Sequence, residues 1–270
     1  MNKIEKDMCE ILRICKNDFG VVSVKAEFEA EGTRVDELLR LVDIAKKCDL
    51  KFTVKIGGCE AIRDLYESKQ IGVDYVVAPM VETSYATTKF INAKNLVFQK
   101  EEQEGMEFLT NIETETSYIN FADILNVTQK KESLDGFVFG RVDFVGSAGL
   151  DRKEVNSELI LSKVSDVASR AKEAQKKLVV GGGVSSESIT FLREVKKIHL
   201  TRYETRKVVF DASSINLPNI EVGLKHAVHF ELLWLLNKKE YYGAIHQEDD
   251  KRIKMLEDRW EILKNKNEKY

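Results

Sequence analysis

The sequence predicts an α/β chain folded as a (β/α)8 barrel, with a helix before the first strand and a helical extension after the last. Short runs rich in Val, Ile and Phe alternate with stretches of helical period. Eight such runs occur, the strand count of a barrel, and the chain of 270 residues has the length that a barrel needs. A doubly wound open sheet is the alternative, because segment 101–107, EEQEGME, is too short and too polar for a crossover helix.

Residues 2–16 place Ile4, Met8, Ile11, Leu12 and Cys15 on one helical face, which suits a helix closing the bottom of the barrel. Strands are expected at 21–29, 51–56, 74–80, 95–100, 108–114, 136–144, 178–183 and 197–203. Between them, 34–48 aligns Val35, Leu38, Leu39, Val42 and Ala45, and 158–175 aligns Leu159, Leu161, Val164, Val167, Ala168 and Ala171. Residues 219–239 and 247–266 read as two further helices separated by the acidic HQEDD, with Trp234 and Trp260 among apolar neighbours. The last residues, KNKNEKY, are expected to fray. The chain thus divides into a barrel at 1–215 and a helical extension at 216–270. The extension carries more apolar surface than a barrel flank needs and is expected to contact a second copy in a homo-oligomer.

Composition narrows the function classes. Hydrophobic residues at 43% supply a core, and 42 basic against 45 acidic residues lack the basic excess of a nucleic-acid binder. No apolar run approaches the ~20 residues of a bilayer span. The start MNKIEKDMCEILRICK contains Glu5, Asp7 and Glu10 and lacks a clean apolar block, so it is not a secretory signal. Cys9, Cys15, Cys48 and Cys59 form no CxxC pair, which suits reduced thiols and a cytoplasmic protein with neither membrane nor nucleic-acid partners. His226 and His229, three apart, could hold a metal or be ordinary surface residues.

Strand alternation locates the chemistry. In 21–29 the apolar Val22, Val24, Ala26 and Phe28 share one face, and Ser23, Lys25, Glu27 and Glu29 the other. Helices wrap a barrel, so the charged face points into the lumen. Thr53 and Lys55 follow the same rule, as do Asn111 and Glu113, and Phe139, Arg141 and Asp143. Glu113 and Asp143 end neighbouring strands about 4.8 Å apart. Two carboxylates so placed repel unless a proton or cation lies between them, and an all-oxygen site suits Mg2+ or Mn2+. Two independent acids at loop starts are the alternative. Lys55 could be a Schiff-base nucleophile or a cation holding a substrate oxygen. No dyad that would lower its pKa is visible, which favours the second. The run GGGVSSES at 181–188 could cradle an anion through Gly182, Gly183 and Ser185, or form a tight turn and an ordinary helix cap. Arg202 and Arg206 in HLTRYETRK could grip an anion or form a salt-bridged edge.

Three segments in order, VVAPMVETSYATTKFI (76–91), NIETETSYINFADIL (111–125) and LDGFVFGRVDFVGSAG (134–149), resemble the HpcH/HpaI aldolase and citrate lyase β-subunit family. The resemblance implies a (β/α)8 barrel that binds Mg2+ or Mn2+ and makes or breaks a carbon–carbon bond of a pyruvate-like 2-oxo acid through a metal-stabilised enolate. It implies Glu113 and Asp143 as metal ligands, Asn111 where the family has glutamine, and Lys55 where the family has an arginine on the substrate's keto or enolate oxygen. The family's histidine near the first strand is absent, so Glu29, or else Glu27, is expected to move the proton. Arg141 replaces a small residue or proline and is expected at the substrate. A phosphoenolpyruvate-using transferase or synthase, or a ligand-binding barrel that has lost its catalysis, are the other readings of the same residues.

Overall fold

The computed structural model describes residues 1–129 and 133–267, with side chains through Lys264. Eight strands close a barrel in chain order. They are β1 (Val21–Glu27), β2 (Lys51–Lys55), β3 (Tyr75–Ala78), β4 (Glu107–Ile112), β5 (Gly136–Gly140), β6 (Lys177–Gly181), β7 (Arg202–Glu204) and β8 (Val208–Asp211). Helix α1 (Lys3–Phe19) comes first. Then α2 (Val35–Lys47), α3 (Ile62–Ile71), α4 (Ser84–Val97), the short α5 (Lys100–Gln103), α6 (Glu115–Ile119), α7 (Phe121–Thr128), α8 (Arg141–Ser147), α9 (Glu158–Glu173) and α10 (Ile189–Ile198) follow. The described chain ends in α11 (Ile220–Asn267). None of these helices is long and apolar enough to cross a membrane.

The local rules are visible at α1. The Asn2 side chain accepts from the Glu5 amide at 2.8 Å and the Glu5 carboxylate accepts from the Asn2 amide at 2.9 Å, which satisfies two orphan donors of the first turn. Gly20 ends the helix at φ 67°, where a side chain would also press on Ser214. The predicted stripe of Met8, Ile11, Leu12 and Cys15 is buried.

Strand alternation divides the interior as the sequence suggests. Val24, Ala26, Phe52, Val54, Val76, Phe108, Phe137 and Leu178 join the core between strands and helices. Val77, Leu109, Val138 and Val179 form a separate apolar layer inside the barrel. Below that layer the strand starts carry a polar floor. Arg202 pairs with Glu107 at 2.5 Å and stacks over Tyr75 at 4.3 Å, while Lys177 reaches Glu107 at 2.7 Å. The lumen is therefore plugged, and only its upper end can hold a ligand.

Several expected elements are corrected. Residues 95–100 are not a strand: Phe90, Ala93 and Val97 continue the buried stripe of α4, and the expected gap at 101–107 disappears with the strand. The strand expected at 136–144 stops at Gly140, where the chain turns into α8. This reverses the expected face: Val138 points into the lumen, and Phe139 packs outward against Phe144 at 5.0 Å. The strand expected at 197–203 shortens to β7, because Lys197 and Ile198 finish α10. The eighth strand is the unforeseen β8, joined to β7 by a hairpin and antiparallel to both β7 and β1, whereas β1 to β7 are mutually parallel. The two expected C-terminal helices are one continuous helix, since Glu and Asp in HQEDD are compatible with helix, no Pro interrupts it, and the single Gly243 at the join costs only about 1 kcal/mol. Its first turns bury Ile220, Leu224, Ala227, Phe230 and Trp234 in the same core as the barrel. The expected fraying of KNKNEKY falls almost wholly outside the residues with described side chains.

Candidate active site

The C-terminal ends of the strands open into a cavity of about 460 Å³. Its lining includes Lys25, Glu27, Glu29, Lys55, Asn111, Glu113, Asp143, Gly182 and Gly183, which the sequence singled out. Arg152, Glu204, Thr205, Arg206 and Glu231 complete its charged and polar rim.

Parallel register sets the first wall. Glu27 on β1 lies opposite Lys55 on β2, and Lys25 opposite Thr53. Lys25 Nζ sits 2.5 Å from Glu204 on β7 and 3.1 Å from Glu27. Burial opposes the charge on Lys25, but the two carboxylates outweigh it and hold its pKa above the usual lysine value. Burial likewise pushes Glu27 up, and Lys25 and Lys55 more than reverse this, leaving Glu27 below the usual carboxylate range. A carboxylate so stabilised in its charged form is a poor base. Glu29 lies beyond the strand end, and among the described residues it pairs with Lys55 at 2.8 Å.

Glu113 follows β4 and is 1% exposed, so every charge on it must be answered locally. One oxygen accepts the Met80 amide at 2.8 Å. The other accepts Asn111 Nδ2 at 2.5 Å and faces Lys55 Nζ at 3.4 Å. Met80 reaches Glu113 from a left-handed backbone, φ 50°, uncommon for a residue with a side chain and of the kind concentrated at functional sites. Burial raises the Glu113 pKa against these three partners, and the charge of Asp143 adds to the rise. Asp143 arrives from the first turn of α8 rather than from a strand end.

Glu113 and Asp143 are therefore neighbouring carboxylates whose repulsion a cation would relieve. Among the described residues, the buried Asn111 Oδ1 has no hydrogen-bond partner. Six carboxylates line the cavity against four cationic side chains. Among the described residues no group of three or more His, Cys, Asp or Glu forms a cage, and His226 packs instead against Phe19. Zinc prefers such a cage, whereas Mg2+ is commonly held by one or two carboxylates with the remaining positions left to water and substrate. The donor set of Glu113, Asp143 and the free Asn111 oxygen fits the latter.

Two expected contacts are corrected. Arg141 does not line the cavity, because the chain has left β5 before it and helical spacing turns it away from Asp143. It is fully buried, donating to Gly181 O at 3.2 Å, Val155 O at 3.3 Å, Asn156 Oδ1 at 2.6 Å and Ser188 Oγ at 3.3 Å, and it stacks over Phe191 at 4.7 Å. Burial without a carboxylate partner lowers its pKa to about 10. Ser185 is exposed outside the cavity. Gly182 and Gly183 do line it, but Gly182 has a packing reason of its own. At φ 77° a side chain there would lie 2.6 Å from the Val142 amide nitrogen and 2.7 Å from that of Arg141. Sequence reasoning missed Arg152 and Glu231. Arg152 stands in a polar turn, and Glu231 faces the rim from α11, so neither shares a pattern with the strand residues.

Comparison with known proteins agrees with this architecture. The sequence profile of the HpcH/HpaI aldolase/citrate lyase family matches residues 20–207. Among solved structures, an HpcH/HpaI aldolase from Desulfitobacterium hafniense superposes with a TM-score of 0.59 at 14% identity, covering 73% of this chain and 82% of that one. An HpcH/HpaI aldolase/citrate lyase family protein from Burkholderia cenocepacia gives 0.58 at 11% identity, over 83% and 90%. A variant of the citrate synthase SbnG gives 0.55 at 14% identity, over 88% and 91%. No curated protein matches the sequence. The profile spans seven of the eight strands, from the start of β1 to the hairpin before β8, and on that match the chain belongs to the HpcH/HpaI aldolase/citrate lyase family.

Proposed function

We propose that the protein is a divalent-metal-dependent carbon–carbon lyase that acts on a pyruvate-like 2-oxo acid through an enolate. The observation that carries this reading is the buried Glu113, set beside Asp143 and the unpartnered Asn111 oxygen in a cavity with an excess of carboxylates. Glu113 and Asp143 would hold Mg2+ or Mn2+, with Asn111 able to contribute its free oxygen. Bound there, the cation supplies Lewis-acid stabilisation of charge developing on a 2-oxo group.

The chain's own residues do the rest. Lys55, anchored between Glu29 and Glu113, is a fixed positive charge for the oxygen that becomes anionic as the carbon–carbon bond breaks. Burial weighs against its charge, but Glu113 and Glu29 keep its pKa above the usual lysine value, which suits a permanent cation and not a Schiff-base amine. Glu29 is placed to move the proton: it lines the cavity, follows the strand end and has one cationic contact, whereas Glu27 is locked by Lys25. Lys25 and Glu204 form the wall behind them.

The test is exchange of pyruvate methyl protons with solvent in the presence of Mg2+, followed by NMR. The wild type exchanges. Glu113→Gln and Asp143→Asn lose both exchange and calorimetric Mg2+ binding. Glu29→Gln keeps the metal and exchanges about 100-fold more slowly, the usual contribution of a positioned base. Metal affinity unchanged in both carboxamide variants would overturn the metal assignment, and wild-type exchange in Glu29→Gln would overturn the base.

A further inference from the structure

Glu113 and Asp143 are held in different ways. The Glu113 carboxylate is fixed through its own oxygens by Met80, Asn111 and Lys55. Among the described residues no hydrogen bond or ion pair holds the Asp143 carboxylate, which is exposed at the cavity. Where Asp143 stands is therefore decided by the backbone of α8. That helix has only seven residues, and its N-cap, Gly140, supplies no side-chain bond to the first turn. A helix so short is not stable by itself in water. Its later part is anchored by the buried Phe144 and Val145 and by Ser147 Oγ, which accepts the Glu115 amide at 2.8 Å. Its first turn, which carries Asp143, is anchored through Arg141.

Arg141 opens α8 two residues before Asp143, and its fully buried guanidinium donates to three other segments. The acceptors are Gly181 O at the end of β6, Val155 O and Asn156 Oδ1 in the 3-10 turn at 152–156, and Ser188 Oγ just before α10. Gly182 lies so near α8 that a side chain there would strike the Arg141 and Val142 amides. The first turn of α8 and the Gly181–Gly183 edge of the cavity are thus one unit, pinned by one side chain. Among the described residues no carboxylate answers the Arg141 charge, so its burial is costly. An apolar side chain of similar volume would fill the same space at less cost. What the guanidinium adds is direction, because its donors lie in a rigid plane aimed at separate segments.

We propose that Arg141 is a positioning residue, acting through the α8 backbone to hold Asp143 beside Glu113 in the arrangement that a divalent cation takes up. This rests on the metal reading above and extends it from the ligands to what orients them. Groups that orient metal ligands from behind are worth about 10- to 100-fold in affinity. The sign of the effect is diagnostic. A positive charge two residues from Asp143 repels a bound cation, so by charge alone its removal tightens metal binding. Loss of position has the opposite effect.

Calorimetric titration of the full chain with Mg2+ tests the assignment, at a temperature where far-ultraviolet circular dichroism shows each protein native. Arg141→Met should bind Mg2+ about 10-fold or more weakly than the wild type. Arg141→Lys keeps the charge without the planar fork and should be weakened by a smaller factor. If Arg141→Met does not fold, Asn156→Ala decides instead: it removes one acceptor at the half-buried edge of the pocket and should weaken Mg2+ in the same direction. Phe98→Leu, a core change outside the cavity, should lower the melting temperature and leave Mg2+ affinity at the wild-type value. A deciding variant that is native and binds Mg2+ as tightly as the wild type, or more tightly, overturns the inference. So does an equal loss of affinity in Phe98→Leu, which would make the effect one of stability alone. In both of those outcomes the wild type still binds Mg2+ and the metal reading stands. A wild type that binds no Mg2+ would instead defeat the metal reading, and the inference with it.

Discussion

Glu113 sets burial against charge, and its replacement separates stability from function. Burial lifts its folded pKa above the unfolded value of about 4.3, so the native state binds this proton more tightly than the unfolded chain does. Stability of the metal-free protein must then fall as pH rises from the unfolded pKa through the raised folded one. Glu113→Gln removes that penalty. Its amide oxygen can still accept from Met80, and its new N–H can donate to the Asn111 oxygen once the Asn111 amide, whose Nδ2 faces Glu113 in the wild type, turns over. In the presence of a chelator, we expect the variant to melt at or above the wild-type temperature at pH 7 and to show a flatter profile between pH 4 and 7. A variant that melts lower across that range would show that the Lys55 contact outweighs the burial cost. The side chains around this residue were legible in the sequence for a simple reason. Lys25, Glu27, Lys55, Asn111 and Glu113 all obey strand alternation, and charges on the lumen face stand out. Arg141 was misplaced because the same rule was carried past Gly140, where β5 had already ended. Arg152 obeys no period and could be found only from its neighbours in space.

Beyond the corrections at 95–100 and 136–144, the elements that differ from expectation lie at the end of the barrel, where strands become short. A four-residue β8 offers no alternation to read, and KIHLTRY imitates a strand although its first residues end a helix. The antiparallel β8 has a consequence at the site. Its hairpin turn, 205–207, occupies the cavity rim, and Lys25 N bonds to Lys207 O at 2.9 Å. From that turn Arg206 and the buried Lys207 both clasp Glu31, which lies in the loop after β1 that also carries Glu29. Burial lowers the Lys207 pKa, and the charge of Glu31 opposes that fall. The clasp thus ties the candidate base to the hairpin. Glu31→Gln should accelerate amide hydrogen exchange across 28–34 by about 10-fold, the effect of losing an interaction near 1.4 kcal/mol. Exchange across α4, on the far side of the barrel, should be unchanged. Equal protection of 28–34 in both proteins would mean that the loop is held by its backbone bonds alone, such as Phe28 N to Lys55 O at 2.8 Å.

At the scale of the molecule, α11 is the feature that one barrel does not complete. Its first turns bury Ile220, Leu224, Ala227, Phe230 and Trp234 at three- and four-residue steps against the barrel and α1. The same seam continues past the barrel through Ile245, Ile253, Leu256, Trp260 and Leu263, and there each of these side chains is about half exposed. A solitary helix of some twenty residues is marginal in water, and most helical stability comes from packing an apolar face. Where α11 leaves the barrel, a second cavity of about 450 Å³ lies between it, α1 and α2, with Trp234, Tyr241, Tyr242 and Ile245 among its lining. Two copies could cover both the seam and the aromatic part of this cavity by exchanging the distal parts of α11. We therefore propose a homo-oligomer built on this helix. Light scattering at micromolar concentration should give a dimer or a larger closed assembly. The double substitution Leu256→Lys and Trp260→Lys places two charges on the seam and should yield a monomer. Because Leu256 and Trp260 are exposed and lie outside the core cluster, near-ultraviolet circular dichroism of the barrel aromatics should survive the change. A wild-type protein that scatters as a monomer at that concentration would leave the seam without a partner of its own kind and would defeat the proposal.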